Sequence, residues 1–181
     1  MKMPIVSFFI MLAMAGCAKN AIVAIHETVV IGEEEYDTKI TKLSILNQRL
    51  KDSDIEQLMH MKNLTTLDLR GNGISDISAL KYLTSLTTLS LWRNEISDYS
   101  ALKDLASLTT LDLRGNKISD ISTLKDLASL TTLYLSRNEI SDISTLKDLA
   151  NLTTLSLLGN EISDKQLEEF VTTVKNVPAI D

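Results

Sequence analysis

Leucine and isoleucine recur along this chain with a fixed period of 22 residues. The stretch Leu64–Ser85 reads LTTLDLRGNGISDISALKYLTS, and four further copies follow it without a gap, up to Thr173. A period of this length is typical of a solenoid, in which each unit buries its apolar face only against its neighbours. The rest of the chain is therefore expected to anchor or cap a stack of repeats.

Two different spacings of apolar residues occur within each copy. The alternation of apolar and polar residues in Leu67–Leu69 predicts a half-buried strand. Ile77, Leu80 and Leu83 are three residues apart, which predicts a short helical or 3₁₀ segment. With an irregular first repeat included, we expect six parallel strands about 4.8 Å apart.

Asparagine and aspartate each occupy one fixed position in every copy. A buried amide at the turn can bond backbone groups that no strand ladder reaches, and losing such a partner costs about 1–3 kcal/mol. We therefore interpret the Asn row as structural: Asn72, Asn94, Asn116, Asn138 and Asn160. The Asp row precedes the helical segments and is expected to accept their N-terminal backbone N–H groups: Asp76, Asp98, Asp120, Asp142 and Asp164. The Gly-Asp pattern of calcium-binding solenoids is missing, so we predict no metal site.

The repeat LxxLxLxxNxIxD resembles the 22-residue bacterial leucine-rich repeats of the internalin type. This resemblance implies a right-handed α/β solenoid, the leucine-rich repeat horseshoe. Its parallel β-sheet would form the concave face, and short helical or 3₁₀ segments would form the convex face. The resemblance also implies a protein-binding role. It does not imply host-cell invasion, because that property belongs to particular members and not to the repeat.

Residues 28–63 are predicted to cap the N-terminal end of the stack. Thr28–Tyr36 has the pattern of a β-hairpin that turns at Gly32. Thr41–Asn63 resembles an irregular first repeat, whose strand lies 24 residues before the next one instead of 22. Asp54–Met61 is expected to be a longer helix with Ile55, Leu58 and Met59 facing inward.

Residues 164–181, which overlap the last repeat, are predicted to form a C-terminal capping helix and tail. The apolar residues shift there to helical spacing: Leu167, Phe170, Val171 and Val174. Ser163 and Gln166 have the spacing of a capping box, and Pro178 follows the helix. We expect neither a wall-sorting tail nor a second domain after this cap.

Residues 1–16 have the pattern of a signal peptide. A single Lys2 precedes an apolar run that is too short to span a membrane, which takes about 20 apolar residues. Met14–Cys17 resembles a bacterial lipobox, which implies cleavage before Cys17 and acylation of that cysteine. An ordinary cleaved signal is the alternative. Residues 17–27 would then be a lipid-anchored tether, in which the ten residues after Cys17 reach at most about 35 Å when extended.

Composition narrows the classes of function. The net charge of −6 disfavours nucleic acid as a partner. Cys17 is the one cysteine of the sequence and has no partner for a disulfide. His26 and His60 have no Ser, Cys or carboxylate at a recognisable catalytic spacing. We therefore predict no enzyme activity, no catalytic residue and no cofactor.

Divergence between the copies collects on the predicted concave face. In a strand the residues between inward leucines face outward, and here they include the one Trp, a Tyr and four Arg. These residue types dominate protein interfaces. The candidate ligand-binding residues are Asp68, Arg70, Trp92, Arg93, Asp112, Arg114, Tyr134, Arg137 and Leu158. The alternative is an ordinary exposed sheet with weak Arg–Asp pairs.

These observations predict a non-catalytic, monomeric protein that binds a protein partner through its concave sheet. The lipid on Cys17 would hold it outside the cytoplasm, at the cell membrane or the outer membrane of a bacterium. Two alternatives remain open. One is a surface adhesin for a sulfated or carboxylated glycan, and the other is an intracellular scaffold or enzyme regulator with an unused signal peptide.

Overall fold

The computed structural model describes residues 28–173 and 179–180 of the chain. Each repeat contributes one three-residue strand, and these strands lie side by side in parallel. In chain order they are β3 (Lys42–Ser44), β4 (Thr66–Asp68), β5 (Thr88–Ser90), β6 (Thr110–Asp112), β7 (Thr132–Tyr134) and β8 (Thr154–Ser156). The signal peptide, the tether and Cys17 lie outside the described residues.

The register of the sheet stacks each leucine on its counterpart in the next repeat. Leu43 pairs with Leu67, which confirms the predicted 24-residue offset, and Leu67 pairs with Leu89 at the regular 22. These side chains are buried in one continuous core that runs the length of the stack. Burial of identical apolar rows is the main stabilising term, because no single repeat encloses its own leucines.

A short strand that the repeat pattern did not predict extends the sheet. β9 (Ala179–Ile180) lies in parallel beside β8 and pairs with Thr154 and Leu155. The sheet therefore has seven strands where the repeats predict six.

Short 3₁₀ segments connect the strands on the convex side, at the positions where apolar residues are three apart. They are Glu56–His60, Ser78–Tyr82, Ser100–Leu102, Ser122–Asp126 and Ser144–Asp148. In the four regular repeats that carry one, the preceding aspartate accepts a hydrogen bond from the serine N–H two residues later, at 2.7–2.8 Å. These bonds hold the pKa of Asp98, Asp120 and Asp142 below the ordinary value.

The N-terminal cap consists of a hairpin and a short helix. β1 (Thr28–Ile31) and β2 (Glu34–Asp37) are antiparallel, and Gly32 turns between them with a φ of 62°. The predicted helix at 54–61 is instead α1 (Asp52–Ile55) followed directly by the 3₁₀ segment Glu56–His60.

The residues that this cap buries differ from the prediction in one position. Ile55, Leu58 and Met61 are fully buried, whereas Met59 is half-buried. The physical reason is the three-residue period of the 3₁₀ segment, which aligns residues 55, 58 and 61 on one side.

The C-terminal cap is α2 (Asp164–Thr173). The predicted capping box is present, since Gln166 N donates to Ser163 Oγ and Ser163 N donates to Gln166 Oε1, both at 3.4 Å. Phe170 is buried and Leu167 packs against the core. The prediction for Val171 was wrong: this side chain is 45% exposed, because it lies 100° around the helix from Phe170. Val174 and Pro178 lie outside the described residues.

Candidate functional site

The concave patch is the set of candidate residues on β4–β8 and on the turns that follow these strands. Strand geometry places a residue outward between two buried leucines, as Asp68 lies between Leu67 and Leu69. The nine patch residues come from five successive repeats. They are Asp68, Arg70, Trp92, Arg93, Asp112, Arg114, Tyr134, Arg137 and Leu158.

The Asn row fixes the turns on which the patch stands. Asn94 Nδ2 donates to the carbonyls of Leu69 and Leu91 at 3.1 and 2.9 Å, and its Oδ1 accepts from Ile74 N at 3.2 Å. The equivalent hydrogen bonds are made in the following repeats by Asn116, Asn138 and Asn160. Asn72 bonds in a similar way to backbone groups of the N-terminal cap. Each amide therefore ties two neighbouring turns together by backbone groups.

The backbone ladder continues past the strands into these turns. Arg93 N donates to Arg114 O at 2.9 Å, and Arg137 N donates to Leu158 O at 2.8 Å. The residue at this turn position has positive φ in every copy: Gly71 (72°), Arg93 (56°), Gly115 (63°), Arg137 (60°) and Gly159 (76°).

Arg93 and Arg137 therefore hold a left-handed conformation that favours glycine and costs an L-residue about 1–2 kcal/mol. The strand and helix pattern of the repeats does not predict this strain. The signal was available, because the other three copies carry glycine at that position.

Two of the four patch arginines form ion pairs within their own repeat. Arg70 Nη2 lies 2.8 Å from Asp68 Oδ2. Arg114 donates two hydrogen bonds to Asp112, from Nη2 to Oδ2 at 2.7 Å and from Nε to Oδ1 at 2.9 Å. Asp112 was predicted to face the ligand. It is only 8% exposed, so its carboxylate holds Arg114 and is not presented to solvent.

Three cation–π contacts join four side chains into one row. The Arg93 guanidinium lies 4.8 Å from the Trp92 ring, and that of Arg114 lies 5.1 Å from the same ring. Arg114 also lies 4.7 Å from the ring of Tyr134. Each such contact contributes about 0.5–1 kcal/mol at an exposed site. The row Arg93–Trp92–Arg114–Tyr134 is therefore held in place before any ligand arrives.

Open apolar surface lies at the C-terminal end of the patch. Leu158 is 72% exposed, which is unusual for a large apolar side chain and leaves it free to contact a partner. Between it and Arg114 lies Ser136, which is buried and hydrogen-bonded to Ser156. The patch thus combines cationic, aromatic and aliphatic groups on one face.

Within residues 28–173 and 179–180, no group of three or more His, Cys, Asp or Glu side chains is placed to hold a metal ion. In that part of the chain no helix has the length and apolarity that crossing a bilayer requires. His60 is exposed, in the 3₁₀ segment Glu56–His60 of the N-terminal cap.

Family models match most of the chain that the structure describes. A model described as "Leucine Rich repeats (2 copies)" matches residues 84–126 and 128–170, and one described as "Leucine rich repeat" matches residues 38–96. The chain belongs to the leucine-rich repeat proteins. Repeats of this family are typically protein–protein interaction modules.

Solved structures of other leucine-rich repeat proteins are similar to this one. A leucine-rich repeat protein of Leptospira interrogans is 26% identical over 69% of this chain and 38% of its own, with a TM-score of 0.60. Internalin C2 of Listeria monocytogenes is 24% identical over 82% of this chain and 84% of its own, with a TM-score of 0.51.

The LRIM1/APL1C complex gives a TM-score of 0.64 at 21% identity, over 70% of this chain and 25% of its own. The chain thus spans well under half the length of two of these three structures. Comparison of the sequence with curated proteins gave no match.

Proposed function

We propose that this leucine-rich repeat protein is a non-catalytic binding module that captures a protein partner on its concave patch. The observation that carries the proposal is the row Arg93–Trp92–Arg114–Tyr134, a preorganised set of cationic and aromatic side chains. Trp, Tyr and Arg are the residues in which binding energy concentrates at protein interfaces. A ligand would meet them without first ordering them, which saves conformational entropy on binding.

The rigidity of the turns supports the same assignment. The hydrogen bonds of the Asn row and of the backbone ladder hold the backbone of the patch in the same position in each repeat. The repeats therefore differ in the side chains of the patch and not in its backbone. Arg93 and Arg137 adopt a strained left-handed conformation that glycine would adopt at lower cost in free energy. Their presence at this turn position therefore supports a functional role for the two side chains.

We also propose that the protein acts outside the cytoplasm, anchored by lipid on Cys17. This part rests on the pattern of residues 1–17 and on the lone cysteine at the predicted cleavage site. The short tether of residues 17–27 would then keep the concave patch close to the membrane surface.

The binding proposal is tested by capture of extracytoplasmic proteins on the immobilised wild type and on the double variant Trp92→Ala with Arg93→Ala. We expect the variant to lose the captured partner while its circular dichroism and unfolding temperature stay within the range of the wild type. Lys103→Ala with Lys125→Ala is the matched control, since both lysines are exposed on the convex side. Equal capture by the Trp92 and Arg93 variant and the wild type would refute the proposal.

The anchor is tested by fractionating cells that express the wild type or Cys17→Ser, with metabolic palmitate labelling. Label in the membrane fraction of the wild type alone is the expected result. An unlabelled, uncleaved and soluble wild type would contradict the anchor and direct the search for partners to the cytoplasm.

A further inference from the structure

The turn after each strand alternates between arginine and glycine from one repeat to the next. Arg93 is followed by Gly115, and Arg137 is followed by Gly159. A Cβ on Gly115 would lie 3.6 Å from Arg93 Cγ, and one on Gly159 would lie 3.4 Å from Arg137 Cγ. Each arginine side chain therefore lies across the glycine of the following repeat.

The same arrangement begins at the N-terminal cap. Asn47 is also left-handed, with a φ of 54°, and a Cβ on Gly71 would overlap its Oδ1. In three successive pairs of repeats, the side chain of a left-handed residue on one turn thus lies over the glycine of the next turn. The alternation sets the distance between Arg93 and Arg137 at two strand spacings, about 10 Å.

Charge distinguishes these two arginines from the rest of the patch. Arg70 and Arg114 are neutralised by Asp68 and Asp112. In residues 28–173, no carboxylate lies within 4 Å of the guanidinium of Arg93 or of Arg137. The unbalanced positive charge of the patch therefore comes from two guanidinium groups carried by turns about 10 Å apart, on a chain whose net charge is −6.

We infer that Arg93 and Arg137 each bind one carboxylate of a single acidic peptide segment that crosses strands β5–β7 of the concave patch. This inference rests on the proposed function and specifies its partner. In a segment with the polyproline II conformation, which has three residues per turn and rises about 3.1 Å per residue, residues three apart project from the same side about 9 Å from one another, which matches the spacing of the two arginines. The residues between these carboxylates would face Trp92 and Tyr134.

The apolar part of the patch favours a peptide over an acidic glycan. Leu158 exposes most of its side chain next to Gly159, which Arg137 crosses. A protein segment brings apolar side chains to such a position, and a sulfated sugar chain does not. Charge complementarity with two arginines and apolar complementarity with leucine then act together on one ligand.

The test is selection of peptides from a displayed random library on the full-length protein, followed by affinity measurements on synthetic peptides. We expect selected peptides to carry two acidic residues three apart, with apolar residues beside them. Arg93→Gly with Arg137→Gly should weaken their binding about tenfold for each arginine, and raised salt should weaken binding to the wild type.

The glycine variant suits this test because it relieves the left-handed strain, so we expect its unfolding temperature to equal or exceed that of the wild type. Arg93→Gln with Arg137→Gln is the second variant, which removes the charge but keeps an uncharged side chain with hydrogen-bond donors. Lys103→Ala with Lys125→Ala removes the same charge from the convex side and should leave peptide affinity unchanged.

Several outcomes would overturn the inference. Selected peptides without the acidic pair would do so, as would peptides that bind the glycine and glutamine variants as tightly as the wild type. If those peptides still lost binding on Trp92→Ala, the proposed function would stand and only its acidic partner would fail. Retention on heparin that both arginine variants abolish, without acidic peptides, would assign the site to a glycan.

Discussion

Replacing Asn116 by alanine is expected to be among the most damaging single polar changes in this protein. Its amide is buried in the middle of the stack. Nδ2 donates to Leu91 O at 3.1 Å and to Leu113 O at 2.9 Å, and Oδ1 accepts from Ile96 N at 3.0 Å. The substitution removes these three bonds at once, together with a longer one from Nδ2 to Arg114 O at 3.4 Å.

The three lost bonds do not cost the same. Ile96 N–H loses its acceptor inside the protein, which costs about 1–3 kcal/mol. Each carbonyl keeps a second donor, from Asn94 or from Asn138, so each loses only about 0.5–1 kcal/mol. The total is about 2–5 kcal/mol, and a drop of about 10 °C in unfolding temperature follows for a domain of this size.

The assay is urea unfolding followed by far-ultraviolet circular dichroism, with Asn151→Ala as the matched control. Asn151 is exposed and donates one hydrogen bond, to Ala128 O at 2.9 Å, so its replacement should cost under about 0.5 kcal/mol. If Asn116→Ala cost no more than this control, the Asn row would not be what holds the turns. A broader transition for Asn116→Ala would fit a stack split into two less coupled halves.

Further predictions concern glycine, aspartate and leucine positions. Gly115→Ala should cost about 1 kcal/mol from its positive φ alone, and Gly71→Ala should cost more in thermal unfolding because its Cβ also displaces a neighbouring side chain. Asp120→Ala should lower the free energy of unfolding by under about 1 kcal/mol at pH 7. A backbone hydrogen bond lowers the folded-state pKa of this carboxyl, so its contribution exists above the ordinary pKa and is lost as pH falls through the lowered one. Urea titrations at pH 7 and pH 3 should therefore show the difference between Asp120→Ala and the wild type shrinking with acid. Leu111→Ala should cost about 2–5 kcal/mol in the same assay, whereas Leu158→Ala, on an exposed side chain, should stay within about 0.5 kcal/mol.

The sequence by itself determined the architecture, because in a repeat protein the same spacing of apolar residues recurs in every unit and specifies its strand and its convex segment. The spacing of Leu67 and Leu69 fixed the strands, and spacings of 22 and 24 residues fixed the register. The three-residue spacing of Ile77, Leu80 and Leu83 fixed the convex segments. These patterns are local and recur in every copy, so the assignment of strands and segments in one copy can be checked against the others.

Tertiary structure alone decided how the concave patch is organised. The ion pair of Arg114 with Asp112 is local, but the contacts of Arg114 with the rings of Trp92 and Tyr134 depend on side chains brought together from neighbouring repeats 22 residues apart. Whether Val171 is buried depends on how α2 rotates onto the core. Residues equivalent in sequence thus differ in environment, because each side chain's partners come from neighbouring repeats and the period does not specify them.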